Sequence, residues 1–210
     1  MDILGENRQQ FPVVDIDDVR TLLASGETRA RGVVLTFDDA WADNHAHALG
    51  PLSRHGLPAM LYAPSRLLDT SGYMTRTQLL EMDAGGVTIG AHSRDHPDLR
   101  TCTPRELEWE VRGSKEDLED LLGKPVTSFA YPTGLLDDRV VEAVEAAGFT
   151  SAVTTRAGWW RSRTETLRVP RSFVEGFSEG TFRAALRGGL NVLGSLDAIK
   201  RVGAGHRGTS

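Results

Sequence analysis

Five short apolar runs alternate along the chain with helical segments, and this alternation limits the fold more than any other feature. Val33–Phe37, Ala59–Ala63, Val87–Ala91, Val126–Tyr131 and Ser151–Thr154 are rich in β-favouring residues and bounded by turn formers or charges, the pattern of buried strands. The helices between them have marked ends. Thr75 with Gln78 forms a capping box, and Gly85-Gly86 stops that helix. Thr103, Pro104 and Glu106 supply an N-cap, a first-turn proline and a reach-back carboxylate. Leu107, Val111, Leu118 and Leu122 then fall along one face, and Gly123 and Pro125 end the helix. Asp137 caps Asp138–Ala147, which Gly148 closes, and Ser178–Arg187 is another short amphipathic helix. Strand, helix, strand in this order implies parallel pairing with right-handed crossovers. Periodicity leaves both a doubly wound sheet and a barrel open. At 210 residues the chain suits one domain with its own core. We expect that domain over residues 1–190, with 191–210 as a partly flexible, glycine-rich tail.

Polar groups follow the strands. Asp38 and Asp39 follow the first, and His92 and His96 the third. Tyr131, Pro132 and Thr133 close the fourth, and Arg168 and Arg171 flank a late short stretch. Parallel α/β folds assemble their sites where the carboxyl ends of the strands meet, so these groups are expected on one rim. Each signal alone has a plain structural explanation: a capping and a solvated aspartate, or two surface histidines. Together they are more specific. One Asp and two His form a facial set of metal ligands that leaves positions open. Open positions suit hydrolysis, which needs an acidified water and a polarised carbonyl. A second carboxylate can take the water's proton. His45, His47 and His55 read as structural or solvated, and His206 lies in the tail.

Composition removes other classes. A net charge of −5 argues against nucleic acid or an anionic membrane surface as partner. A single cysteine, Cys102, allows neither an intrachain disulfide nor a cysteine-based zinc site. Met1 to Pro12 lacks a basic stretch followed by an apolar run, and no segment has transmembrane length. A cytoplasmic protein is the expectation.

The stretch Leu35-Thr36-Phe37-Asp38-Asp39-Ala40 resembles the first motif of polysaccharide deacetylases of the NodB-homology, carbohydrate-esterase-4 type. His92-Ser93-Arg94-Asp95-His96-Pro97 resembles their second motif, and Phe129-Ala130-Tyr131-Pro132-Thr133-Gly134 the third in its Phe-Ala-Tyr-Pro variant. The similarity runs from about Gly32 to about Val174 and includes Gly72-Tyr73-Met74-Thr75 and Ala147-Gly148-Phe149. This resemblance implies a distorted (β/α) barrel, seven-stranded or incomplete. It implies a divalent metal, zinc first with cobalt, manganese or nickel as substitutes, held by Asp39, His92 and His96. Asp38 would be the general base, and the backbone N–H of Thr133 would meet the oxyanion. Arg171 would pair with Asp38. Tyr131 and Pro132 would shape the pocket, and Trp41 would form its wall. Trp159 and Trp160 would stack on a sugar ring, or else cover the barrel bottom or an interface.

The sequence departs from the family in three places. Ala40 stands where the first motif ends in glycine. No late Leu-x-His segment supplies a general acid. No strand before the first motif is recognisable, so an incomplete barrel closed by a neighbouring copy is one expectation, and a homo-oligomer stays open. The function implied is removal of an acetyl group, N-acetyl before O-acetyl, from an amino sugar, polysaccharide or sugar-containing metabolite. The alternative is a weakened or inactive carbohydrate-binding relative. An aspartate-nucleophile phosphotransferase fits poorly, because such enzymes want a second Asp at position 40, and here it is Ala.

Overall fold

The computed structural model describes residues 1–24, 32–159, 165–174 and 176–189. Five parallel strands form one sheet in chain order: β1 (Thr36–Phe37), β2 (Ala59–Ala63), β3 (Val87–Ala91), β4 (Ser128–Ala130) and β5 (Ser151–Val153). Helices α3 (Ala42–His55), α4 (Arg76–Ala84), α5 (Pro104–Leu122) and α6 (Asp138–Ala146) connect them. The caps act as the local chemistry dictates. Thr75 and Thr103 both close full capping boxes, the Asp137 side chain accepts from Val140 N–H, and Gly123 ends α5 in a left-handed turn. Two helices near the N-terminus, α1 (Asp2–Glu6) and α2 (Ile16–Ala24), were not anticipated. The expected helix Ser178–Arg187 is α7 (Glu179–Ala184), capped by Ser178 and followed by a wider turn over Ala185–Gly189. The tail 191–210 and His206 lie outside the described residues.

Alternation along β2 separates two apolar layers. Ala59, Leu61 and Ala63 join the large cluster beneath the helices. Met60 and Tyr62 face the other way and pack with Ile16, Ala130, Val153 and Val169 on the concave side. This two-residue period is that of a curled sheet with a filled interior. Polar atoms inside are satisfied in a chain: Tyr62 Oη lies 2.9 Å from Ser128 Oγ, and Ser151 Oγ 3.0 Å from the same oxygen.

Single bridges flank the sheet at both edges. Val13 pairs with Val33 in parallel beside β1, and Val169 pairs with Val153 beside β5. A single bridge stands where a strand before the first motif would pair, and the sheet keeps five strands, an incomplete barrel. The bridge left no sequence signal because a single backbone pairing needs no apolar run. Ile16 enters the interior just behind it. On the opposite edge, Arg171 donates to Thr36 Oγ1 at 3.1 Å and to the Thr154 carbonyl at 3.0 Å, joining β1 to the end of β5.

Candidate active site

The three motif loops leave β1, β3 and β4 at their carboxyl ends. Their backbone is unusual. Six described non-glycine residues have positive φ, and five of them lie in these motifs: Asp39 (69°), Ala40 (55°), Ser93 (61°), His96 (58°) and Thr133 (56°). Left-handed geometry costs a non-glycine residue roughly 1–2 kcal/mol, and such strain concentrates where side chains must be aimed.

Asp39 Oδ1 lies 3.4 Å from His92 Nε2 and 3.3 Å from His96 Nε2, and the three groups offer ligand atoms all within 4.8 Å of one another. His92 is 2% exposed and its Nδ1 lies 2.7 Å from the Ala130 carbonyl. A carbonyl only accepts, so Nδ1 carries the proton and Nε2 presents its lone pair toward Asp39. The backbone N–H of His96 donates to Ser93 Oγ at 3.0 Å, which fixes the second imidazole's turn. His92, its ring nitrogen directed at this oxygen, holds the Asp39 carboxyl below the ordinary carboxylate range, against the effect of burial. Burial, and then the neighbouring His92, push the His96 imidazole below its ordinary value. Both shifts favour the ligating forms, an anionic carboxylate and a neutral imidazole. The donor set, two nitrogens and one carboxylate oxygen converging from two loops, fits a divalent metal of the zinc type.

Asp38 is not one of these three and bonds Arg171 instead. Arg171 Nη1 donates to its Oδ1 and Nη2 to its Oδ2, each at 2.7 Å. With the bonds to Thr36 and Thr154, the guanidinium makes four hydrogen bonds and lies 5.5 Å from the Tyr62 ring centre. Burial opposes its charge, and Asp38 outweighs burial, leaving Arg171 above its ordinary value. Arg168 turns instead to Asp138 and Glu165.

Trp41 Nε1 donates to Asp39 Oδ2 at 3.2 Å and its ring stacks on Tyr73 at 4.3 Å. Trp41 stays 42% exposed, so the pair forms an aromatic shelf beside the ligand set. Tyr73 was missed as a site residue. Its signal was the Gly72–Thr75 segment, whose Met74 N–H binds the Ala40 carbonyl at 2.8 Å.

Tyr131 requires a correction. It is fully buried in the helix-facing cluster with Phe129, and its hydroxyl donates to the Leu167 carbonyl at 2.8 Å. Two-residue alternation sends Phe129 and Tyr131 to the outer layer and Ala130 inward. Tyr131 therefore holds the loop and offers no surface to a substrate. Pro132 is buried beside it. Thr133 follows in the left-handed turn, with Oγ1 bonded to the Pro132 carbonyl at 2.6 Å. Trp159 is 42% exposed beyond β5, and Trp160 lies outside the described residues. His45 pairs with Glu81 at 2.7 Å and His55 with Asp2 at 2.8 Å, away from the site.

Ala40 is fully buried at φ 55°, so the loop keeps its left-handed turn without glycine. In Ala40→Gly, relief of roughly 1–2 kcal/mol of strain opposes about 0.8 kcal/mol of lost methyl burial and up to about 1 kcal/mol of glycine's chain entropy. Denaturant unfolding should therefore show a change within about 1 kcal/mol. A larger loss would mean that the methyl carries packing this balance omits.

The model of the family described as polysaccharide deacetylase matches residues 25–152. YxkH of Bacillus subtilis (strain 168), named for polysaccharide deacetylation, is 29% identical over 126 residues, covering 60% of this chain and 45% of that protein. This chain spans about half the length of the curated relatives it matches. Among solved structures, the deacetylase PplD of Streptococcus pyogenes, in complex with acetate, superposes with a TM-score of 0.79 at 23% identity, over 88% of this chain and 86% of that one. BC0361, a polysaccharide deacetylase from Bacillus cereus, gives 0.77 at 26% identity, over 89% and 59%. The curled parallel sheet is thus the fold of these proteins, and the chain belongs to the polysaccharide deacetylase family.

Proposed function

We propose that residues 1–190 form a metal-dependent hydrolase that removes an acetyl group, N-acetyl first, from an amino sugar, polysaccharide or sugar-containing metabolite. One observation carries this: Asp39, His92 and His96 converge on one point while a second carboxylate, Asp38, is held beside them by a dedicated arginine.

A divalent metal held by Asp39, His92 and His96, zinc first, would supply Lewis acidity and a lowered water pKa. The chain's own residues do the rest. Each Asp38 oxygen gives one lone pair to Arg171 and keeps another, so the carboxylate can take a proton from the attacking water. The water oxygen bonds to the acetyl carbon, and the backbone N–H of Thr133 donates to the oxyanion that forms. The carbon–nitrogen bond then breaks. Asp38 returns its proton to the leaving nitrogen, giving acetate and a free amine. Trp41, backed by Tyr73, walls the acetyl end of the substrate.

The test is acetate release from N-acetylated sugars, short chitin oligomers and O-acetylated controls, with zinc-loaded and chelator-treated protein. Release that needs the metal supports the proposal. Folded, zinc-loaded protein that binds these sugars without releasing acetate would favour the inactive carbohydrate-binding alternative. No described helix is long and apolar enough to cross a membrane.

Acidification gives a further expectation. Metal binding needs neutral imidazoles, and the His96 value is already lowered. Protons should therefore compete little at His96 near pH 7 and more strongly as the pH falls. Zinc affinity measured by competition should stay level near pH 7 and fall steeply on the acid side. A fall beginning above pH 7 would contradict the assignment of His96 as a ligand.

A further inference from the structure

The loop carrying His92 and His96 is braced from behind by one helix. Glu110 and Asp117 stand seven residues apart on α5, a spacing that aligns side chains along one helix face. Glu110 is 6% exposed, and its Oε2 accepts the backbone N–H groups of Arg94 and Asp95, both at 2.9 Å. These two residues sit between Ser93 and His96, whose left-handed turns fold the loop. Successive N–H groups in such a turn form a concavity that binds anions. Here the anion is a side chain of the same protein. Asp117 takes the Arg94 guanidinium in a fork, at 2.8 Å from Nε and 2.6 Å from Nη2, and accepts the Ser65 hydroxyl at 2.7 Å. Arg94 lies 3.8 Å from the Trp109 ring centre on one side. On the other it lies across Gly113, where a Cβ would come within 2.3 Å of the guanidinium carbon. The helix surface is therefore shaped to receive this loop.

We propose that Glu110 is a positioning residue of the metal centre, its carboxylate setting the turn between His92 and His96 and so the affinity of the site for zinc. The inference rests on the proposal that Asp39, His92 and His96 hold a metal. Packing alone does not account for the arrangement. An apolar residue would fill the space and leave two N–H groups unpaired, whereas Glu110 ties both to a single oxygen at the centre of the loop.

The experiment measures zinc dissociation constants by competition with a chromogenic chelator, and thermal unfolding with and without zinc. It compares the full chain with Glu110→Met, which removes the acceptor, and Glu110→Asp, which withdraws it by one methylene. Outer partners of metal ligands typically contribute about 10–100-fold in affinity. Glu110→Met should bind zinc weaker by about that factor and show a smaller zinc-induced rise in Tm. An affinity within about twofold of the unsubstituted chain, with Tm lowered equally in both conditions, would overturn the proposal and make Glu110 a residue of the fold only. If Glu110→Met does not fold, Glu110→Asp decides by the same two readouts. Failure of the unsubstituted chain to bind zinc would remove the metal proposal and this one with it. Tight binding by both the chain and its variants would remove this one alone.

Discussion

Asp38→Asn is expected to lower acetate release by about 10²–10⁴-fold, the usual contribution of a positioned general base, while zinc affinity stays within about threefold. The asymmetry follows from geometry. Asp38 contributes nothing to the Asp39, His92 and His96 set, and its two oxygens point at Arg171. Asparagine keeps the shape and one acceptor, so the loop should persist. It cannot take a proton, and its amide turns a donor toward a guanidinium that is itself only a donor. The fold should therefore weaken modestly while the chemistry fails. Single-turnover acetate release on zinc-loaded protein, paired with a zinc titration of the same sample, separates the two effects. Activity within tenfold of the unsubstituted chain would sink the base assignment. Loss of zinc together with activity would show instead that the loop had rearranged.

Much of this could be read from the sequence because its signals are local. A buried strand needs an apolar run, and a helix end needs a cap within three residues, so β2, β3, α4 and α5 were legible. The grouping of Asp39, His92 and His96 was legible because two loops carry them in short clusters. What was missed depends on distant or backbone partners. Asp15 caps α2 by accepting Asp17 N–H at 2.8 Å, yet the same carboxylate accepts the Thr88 hydroxyl at 2.9 Å. Only the curled sheet brings that second contact about. Val13 meets Val33 through backbone atoms, and Glu110 meets Arg94 and Asp95 through theirs. Side-chain pattern is silent about such contacts. Tyr131 was misread for a different reason. Its place after a strand suggested the rim, whereas alternation from Phe129 had already sent it to the helix side.

Arg171→Met should cost both stability and turnover, and the way the costs combine reports what the arginine does. Its side chain is 15% exposed and that of Asp38 31%, so the pair is shielded without being fully desolvated. Removing one partner of a fully buried pair costs about 3–5 kcal/mol. With Asp38 partly solvated, about 2 kcal/mol is expected here. Turnover should fall by at least about tenfold, because a free carboxylate can rotate away from the attacking water. Arg171 has a second role, however, in joining Thr36 to Thr154 across the sheet's edges. The double variant Asp38→Asn/Arg171→Met separates the two. If the charge pair dominates, the double variant should be more stable than the sum of the single losses predicts, by about 1 kcal/mol or more, since no unmatched charge remains. If bridging dominates, the losses should add, because asparagine at position 38 leaves both bridging bonds intact. Arg171→Lys sharpens the comparison. It keeps the charge but cannot make the two-pronged contact with Asp38 while also reaching both strands. Stability recovered without turnover would assign the fork itself to orienting Asp38.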